Sequence, residues 1–190
     1  MSPRLLLQDA CVLINLLASG RFVDIAGGCG YRLLVATAVR AEALYIRDDV
    51  TGEPILIDLS PHLTAGLLEE ISVETEVERE AYITYAAQLD DGEAMSLALA
   101  EARHLILATD DRKARALIIR ESIRVELSST VGVLETWERN AGIPAAEIRV
   151  VLEQIQRCAR FSPPATTAEG SWWKERLAGP IQQHEGENQP

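Results

Sequence analysis

The sequence predicts a three-layer α/β/α domain, with a parallel sheet covered by helices on both faces. Three observations predict it. Short, continuously apolar runs at Arg4–Gln8, Arg32–Ala36 and Leu105–Thr109 have the character of strands buried on both sides. Each is followed by a segment with apolar residues at helical spacing, and the connections between them are short, the pattern of βα units. In such sheets ligands bind beyond the carboxyl ends of the strands. The residues just after each strand are therefore the first place to look for chemistry.

The elements follow in order. After the first strand, Asp9 precedes a helix over Ala10–Ala18, and Arg21–Ala26 continues as a second short helix until the glycines Gly27, Gly28 and Gly30 turn the chain. Thr37, after the second strand, can cap a helix over Ala38–Ile46 by accepting a backbone N–H bond. An insertion spanning 47–68 begins with the turn-forming Asp48-Asp-Val-Thr-Gly-Glu-Pro54, continues with strand-like Ile55–Ile57, and restarts a helix at Ser60-Pro61. A third parallel strand is expected over Ile71–Thr75. Thr75-Glu-Val-Glu78 is a capping box that opens a helix to about Leu89. Asp90-Asp-Gly-Glu93 breaks the chain and restarts it, with Asp91 as the expected cap, into Ala94–Arg103. A helix over Arg112–Glu121, a last strand over Ile123–Leu127, and amphipathic helices over Thr130–Asn140 and Pro144–Arg160 complete a domain of residues 1–160. From Phe161 the composition turns polar and proline-rich, and 161–190 reads as a disordered tail interrupted by Trp172-Trp173.

Composition excludes several classes of function. Cys11, Cys29 and Cys158 are odd in number and lack CxxC spacing, so neither a disulfide framework nor a zinc site is indicated. Cys11 and Cys158 have apolar neighbours and read as small buried residues. His62, His104 and His184 are scattered, no Gly-x-Ser-x-Gly elbow is present, and the glycine cluster lacks the Gly-Lys-Ser/Thr ending of a phosphate loop. No apolar run reaches the ~20 residues that span a bilayer, and a cytoplasmic location without membrane attachment is the expectation. The formal charge of −11 runs against a free nucleic-acid binder, which is usually basic. Such a chain can handle nucleic acid only with metal ions, a local basic patch or a basic partner.

The acids are where the pattern becomes specific. Asp9 directly follows the first strand, Glu42 lies about one turn into the helix after the second, and Asp110 and Asp111 follow Leu105–Thr109. Glu93, in the first turn of its own helix, can join them. Each taken singly has an ordinary explanation as a helix cap, a dipole partner or a surface residue. Capping alone does not explain an inward acid from several βα units. Carboxylates ~4 Å apart repel by about 4 kcal/mol at an effective dielectric of 20. A converging set therefore calls for a divalent cation or for protonation, and hard oxygen donors favour Mg²⁺ or Mn²⁺.

Four segments together resemble the PIN-domain family, including its VapC-like toxin ribonucleases. They are Leu7-Gln-Asp-Ala-Cys-Val-Leu-Ile14, Val39-Arg-Ala-Glu-Ala43, Leu89-Asp-Asp-Gly-Glu-Ala-Met-Ser-Leu-Ala-Leu-Ala100 and Leu105-Ile-Leu-Ala-Thr-Asp-Asp-Arg-Lys-Ala-Arg115. Leu127–Leu134 is similar to the family's last strand-to-helix junction, and the resemblance covers roughly residues 4–155. It implies a five-stranded parallel sheet, Mg²⁺ or Mn²⁺, and cleavage of RNA by metal-activated water. It also implies that Asp9, Glu42, Glu93 and Asp111 bind the metal, with Asp110 as a further ligand candidate and Thr109 beside them. The chain departs from the family in having Ala10-Cys11 where a Thr or Ser often stands near the first acid, and in the length of the insertion.

Thr109, Arg112 and Arg115 are the candidate substrate-binding residues. Arg112 and Arg115 share a helix face and can hold phosphates, or else pair with Glu101 and Glu121. The leading reading is an endoribonuclease, with an antitoxin or other basic partner and a homo-oligomer as expected associations. The second is a non-catalytic PIN-like nucleic-acid-binding or scaffold module. A receiver-like or phosphohydrolase domain is a third, but no strand-end lysine suits it.

Overall fold

A computed structural model describes residues 3–42 and 44–179. Its elements are β1 (Arg4–Gln8), α1 (Ala10–Ala18), α2 (Phe22–Gly28), β2 (Tyr31–Ala36), α3 (Thr37–Ala41), β3 (Tyr45–Arg47), β4 (Pro54–Leu56), α4 (Ser60–Thr64), β5 (Glu69–Ile71), α5 (Glu76–Ala86), α6 (Asp91–Ala102), β6 (Ile106–Ala108), α7 (Arg112–Arg120), β7 (Glu126–Ser128), α8 (Thr130–Ala141), α9 (Ala145–Cys158) and α10 (Ala168–Ala178).

Five strands form one parallel sheet in the order β5-β2-β1-β6-β7. The apolar strands take the middle because only a strand covered on both faces can bury every side chain: Leu6, Leu7, Leu107 and Ala108 are all at most 2% exposed. The alanine-rich α6 lies close over β1, β2 and β6, with Ala94, Ala98 and Ala100 fully buried. Helices α3 and α5 flank it. Helices α1 and α8 cover the other side, with α9, α2 and α10 packed on them. From β1 the chain proceeds to β2 and β5 on one side and later returns to β6 and β7 on the other. The crevice between β1 and β6 is thus the switch point of the topology, where α/β sheets hold their ligands. No single helix among the described residues is long and apolar enough to cross a membrane.

Several expectations need correction. The helix after β2 stops at Ala41 instead of running to Ile46. Glu42 adopts extended backbone (φ −72°, ψ 150°), and Tyr45-Ile46-Arg47 pair antiparallel with Pro54-Ile55-Leu56. The aromatic and β-branched residues there favour the hairpin. Thr37 does not cap: Ala36 occupies the N-cap position, and the Thr37 hydroxyl donates to the Met95 sulfur at 3.3 Å. The third parallel strand is Glu69–Ile71, earlier than the expected 71–75. Asp90, not Asp91, is the N-cap of α6.

The largest correction concerns the C-terminal segment. Residues 161–179 are not a disordered tail: α10 is capped by Thr167 and docks against α9 and α8. Trp173 is 3% exposed and meets Phe161 edge-on, with ring centroids 5.7 Å apart. Arg176 pairs with Glu138 at 2.9 Å and lies over Trp172. Two tryptophans supply enough apolar surface to order a short polar helix, which averaged composition does not register. The rest of the expected tail, 180–190, lies outside the described residues.

Candidate metal-dependent nuclease site

Asp9 ends the central strand, where its backbone N–H donates to the Ala108 carbonyl at 3.0 Å and so ties the ends of β1 and β6 together. Its carboxylate accepts from the Val12 N–H at 2.9 Å, capping α1, and from the Cys11 thiol at 3.0 and 3.2 Å. It is 2% exposed, and among the described residues no cationic side chain pairs with it. Burial pushes its pKa up to about 7, with bonds from Thr109, Val12 and Cys11 opposing and nearby Asp110 adding to the rise. The Cys11 thiol is thus a side-chain donor to the first acid. The thiol is half-buried, also receives the Asp110 N–H at 3.4 Å, and is held strongly in its protonated form by burial and by Asp9.

The two aspartates after β6 have different surroundings. Asp110 accepts from the Asn15 amide at 3.2 Å, from the Thr130 N–H at 3.2 and 3.4 Å, and from the Thr130 hydroxyl at 2.5 Å. Asn15 also donates to that hydroxyl at 2.9 Å. Asp110 thus clamps α1 to the start of α8, although burial still lifts its pKa. Asp111 caps α7 through the Ala114 N–H at 2.8 Å, which leaves its other carboxylate oxygen without a partner among the described residues.

Glu93 and Glu42 come from the opposite side of the switch point. Glu93 sits in the first turn of α6 and reaches back to the Asp90 N–H at 3.4 Å; its pKa is raised by burial and next by Asp111. Glu42 lies with its carboxylate on the backbone of Gly92, where an added Cβ would fall 2.1 Å from Oε1. Loss of water on that side, then Asp90 and Asp91, lift its pKa. Only glycine leaves room for this approach.

Thr109 is 1% exposed; its hydroxyl bonds to the Asp9 carboxylate and receives the Asp111 N–H at 3.0 Å. It positions the acids and has no free face for substrate. Arg115 is likewise committed, donating to the carbonyls of Thr109 at 2.8 Å and Ser128 at 2.7 Å. Arg112 is exposed and makes no ion pair among the described residues. Glu101 bonds instead to the Tyr85 hydroxyl at 2.5 Å, and Glu121 to Arg120 at 2.9 Å.

The acids thus fall into two adjoining groups, Asp9 with Asp110 and Glu93 with Asp111, and Glu42 borders the second through Asp90. As the side chains lie, no three of the His, Cys, Asp and Glu groups among the described residues stand close enough together to hold an ion. The donor set nevertheless fits a hard cation. All its groups are carboxylate oxygens, and several are destabilised as anions by burial and by one another. Mg²⁺ binds through only one or two carboxylates and keeps several waters.

Glu169 has no signature in the sequence; it accepts from the Ser129 hydroxyl at 2.6 Å and raises the pKa of Asp110. The amide partner Asn15 did leave a trace, as a lone polar residue in the apolar run Ala10–Ala18.

A parallel α/β/α sheet with its acids at the carboxyl edge of the switch point defines an open-sheet α/β domain that binds its ligand there. Within that class the chain belongs to the PIN-domain family: a family model described as DUF3368, PIN domain, matches residues 6–169. The match continues past the expected boundary at 160 and includes Glu169. PIN domains are generally nucleases. No curated protein and no solved structure gives a significant match.

Proposed function

We propose that this PIN domain is an Mg²⁺- or Mn²⁺-dependent endoribonuclease in which Asp9, Glu42, Glu93 and Asp111 hold the metal. The observation that carries the reading is Asp9. It is a carboxyl group buried at the switch point with no cation beside it, and Thr109, Val12 and Cys11 orient it as an acceptor. A structural cap does not require a buried, uncompensated acid. Carboxyl groups so strongly perturbed cluster at functional sites, and a divalent cation would neutralise this one.

The bound cation would lower the pKa of a coordinated water and steady the leaving oxygen of the phosphodiester. The chain's own groups do the rest. Asp111 and Glu93 present carboxylates across the crevice, Gly92 admits Glu42, and Thr109 fixes both Asp9 and Asp111. Asp110 keeps α1 and α8 in register through Asn15 and Thr130. Arg112, exposed and in no ion pair among the described residues, supplies a positive charge for a phosphate.

With a net charge of −11 the chain relies on that local cation and on metal for RNA affinity. A basic antitoxin segment could occupy the same acids, which would make the chain the toxin of a pair. Self-association would use the β3–β4 hairpin, where Tyr45 and Leu56 are exposed.

The test is cleavage of single-stranded RNA by the purified chain. Cleavage that needs Mg²⁺ or Mn²⁺, stops in EDTA and is lost in Asp9→Asn supports the proposal. RNA binding without cleavage under any divalent metal would favour the non-catalytic module.

A further inference from the structure

The C-terminal segment builds a feature that the nuclease reading does not use. A cleft of about 390 Å³ opens between the start of α7 and the stretch Phe161–Glu169, beside the acids at the end of β6. One wall is apolar and stiff, made of Phe161, Pro163 and Pro164. The Phe161 ring is braced edge-on by buried Trp173, and Pro163 is itself buried. The other side carries Asp111 and the exposed guanidinium of Arg112, which has no ion pair among the described residues. Glu169 lines the far end, fixed by the Ser129 hydroxyl at one oxygen while the other has no partner among the described residues.

We infer that this cleft is a nucleoside subsite that holds one unstacked base of the strand against Phe161 and Pro164, with Arg112 on its phosphate and Glu169 accepting from the base edge. The volume lies within the range of small-ligand sites. An apolar ring wall is the sequence-tolerant way to bind a base. A carboxylate acceptor adds selectivity, since adenine, cytosine and guanine offer an exocyclic amine and uracil does not. Arg112 supplies the cationic contact for the phosphate, whereas Asp110, Asp111 and Glu169 also line the cleft, which makes argininamide the competing ligand in the test. The inference rests on the nuclease reading for the identity of the natural substrate; nucleotide binding itself requires neither metal nor cleavage.

The experiment is an NMR titration of the ¹⁵N-labelled full chain in EDTA with AMP, CMP, GMP and UMP, each to about 10 mM. Saturable shifts are expected at Arg112, Phe161, Thr167 and Glu169, with UMP the weakest ligand. Arg112→Ala should weaken binding at least about fivefold. Phe161→Leu, which keeps the packing on Trp173 but removes the aromatic face, should do the same. Glu169→Gln should narrow the difference between CMP and UMP.

The inference is overturned if no mononucleotide produces saturable shifts in the cleft. It is equally overturned if both variants bind as the wild type does, or if argininamide occupies the cleft in preference to the nucleotides. Metal-dependent RNA cleavage without nucleotide binding would remove this subsite and leave the nuclease reading standing. Nucleotide binding without cleavage would do the reverse.

Discussion

Asp9 and Glu78 are both buried carboxyl groups, and their surroundings pull them in opposite directions. Glu78, in the first turn of α5, is 3% exposed and faces Arg103, which donates to it at 2.6 and 3.1 Å and also to the Ser72 carbonyl. The N–H groups of Glu74 and Thr75 complete its shell, at 2.7 and 3.0 Å. The Arg103 bond, followed by those backbone donors, holds its pKa down at about 2. Asp9 has donors but no cation, and its pKa stands at about 7. The α5–α6 corner is a finished structural pair; the strand end is an incomplete one. The difference locates where this fold buries a carboxyl group with no paired cationic side chain among the described residues, and such perturbed groups cluster at functional sites.

The largest effect expected from breaking this contrast is on activity. Asp9→Asn keeps the shape and the Val12 cap but removes the charge. Cleavage of RNA should fall on the order of 10²- to 10³-fold, as when one group stabilising developing charge is lost. Kinetics at saturating Mn²⁺ measure it. A variant that retains near-wild-type turnover would make Asp9 only a cap.

The next effect lies at the other pole. Glu78→Gln strips a charge that Arg103 needs, and denaturant unfolding should show a loss of at most about 3 kcal/mol, less whatever solvent screening removes. The pH dependence follows from the sign of the shift. Glu78 is depressed below its usual 4.5, so its stabilisation is complete above that value and is lost as pH falls towards about 2. Unfolding curves that are parallel for wild type and variant between pH 5 and pH 2 would contradict the pairing.

A smaller effect separates function from stability at one position. Gly92→Ala puts a methyl group where the Glu42 carboxylate lies. The glutamate can swing away, and alanine suits a helix better than glycine. Melting should therefore be unchanged or slightly raised while activity drops about tenfold, as for a displaced group around a metal. Unchanged activity would remove Glu42 from the site.

Much of this was legible in the chain. The apolar runs Arg4–Gln8 and Leu105–Thr109 marked the central strands, because strands buried on both faces need no alternation. The capping box Thr75–Glu78 is present as read, since it depends only on residues three apart. Glu42, expected one turn into a helix, has extended backbone instead, because the hairpin that follows it is set by pairing between Tyr45–Arg47 and Pro54–Leu56. Arg115 was read as a phosphate binder; its bonds to the Thr109 and Ser128 carbonyls depend on the neighbouring strand, which spacing does not reveal. Glu169 and α10 were hidden for the same reason. Their order comes from Trp173 and Phe161 packing on each other and from α10 docking on α8 and α9, tertiary contacts that spacing does not reveal.

The most direct test of the central claim compares melting of wild type and Asp9→Asn, without metal and with Mn²⁺. Asp9 in the fold titrates near 7, whereas the unfolded carboxyl titrates near 3.8, so between those values the fold keeps a proton that the unfolded chain releases. The metal-free wild type should therefore lose stability as pH rises from 4 to 7, by up to roughly 4 kcal/mol, and Asp9→Asn should lack that slope. Mn²⁺ at a hundredfold excess over its Kd should then raise wild-type stability at neutral pH by about 2.7 kcal/mol and leave the variant almost unmoved. Equal metal-induced shifts in the two proteins, with equal pH slopes, would contradict a shared cation site at the end of β1.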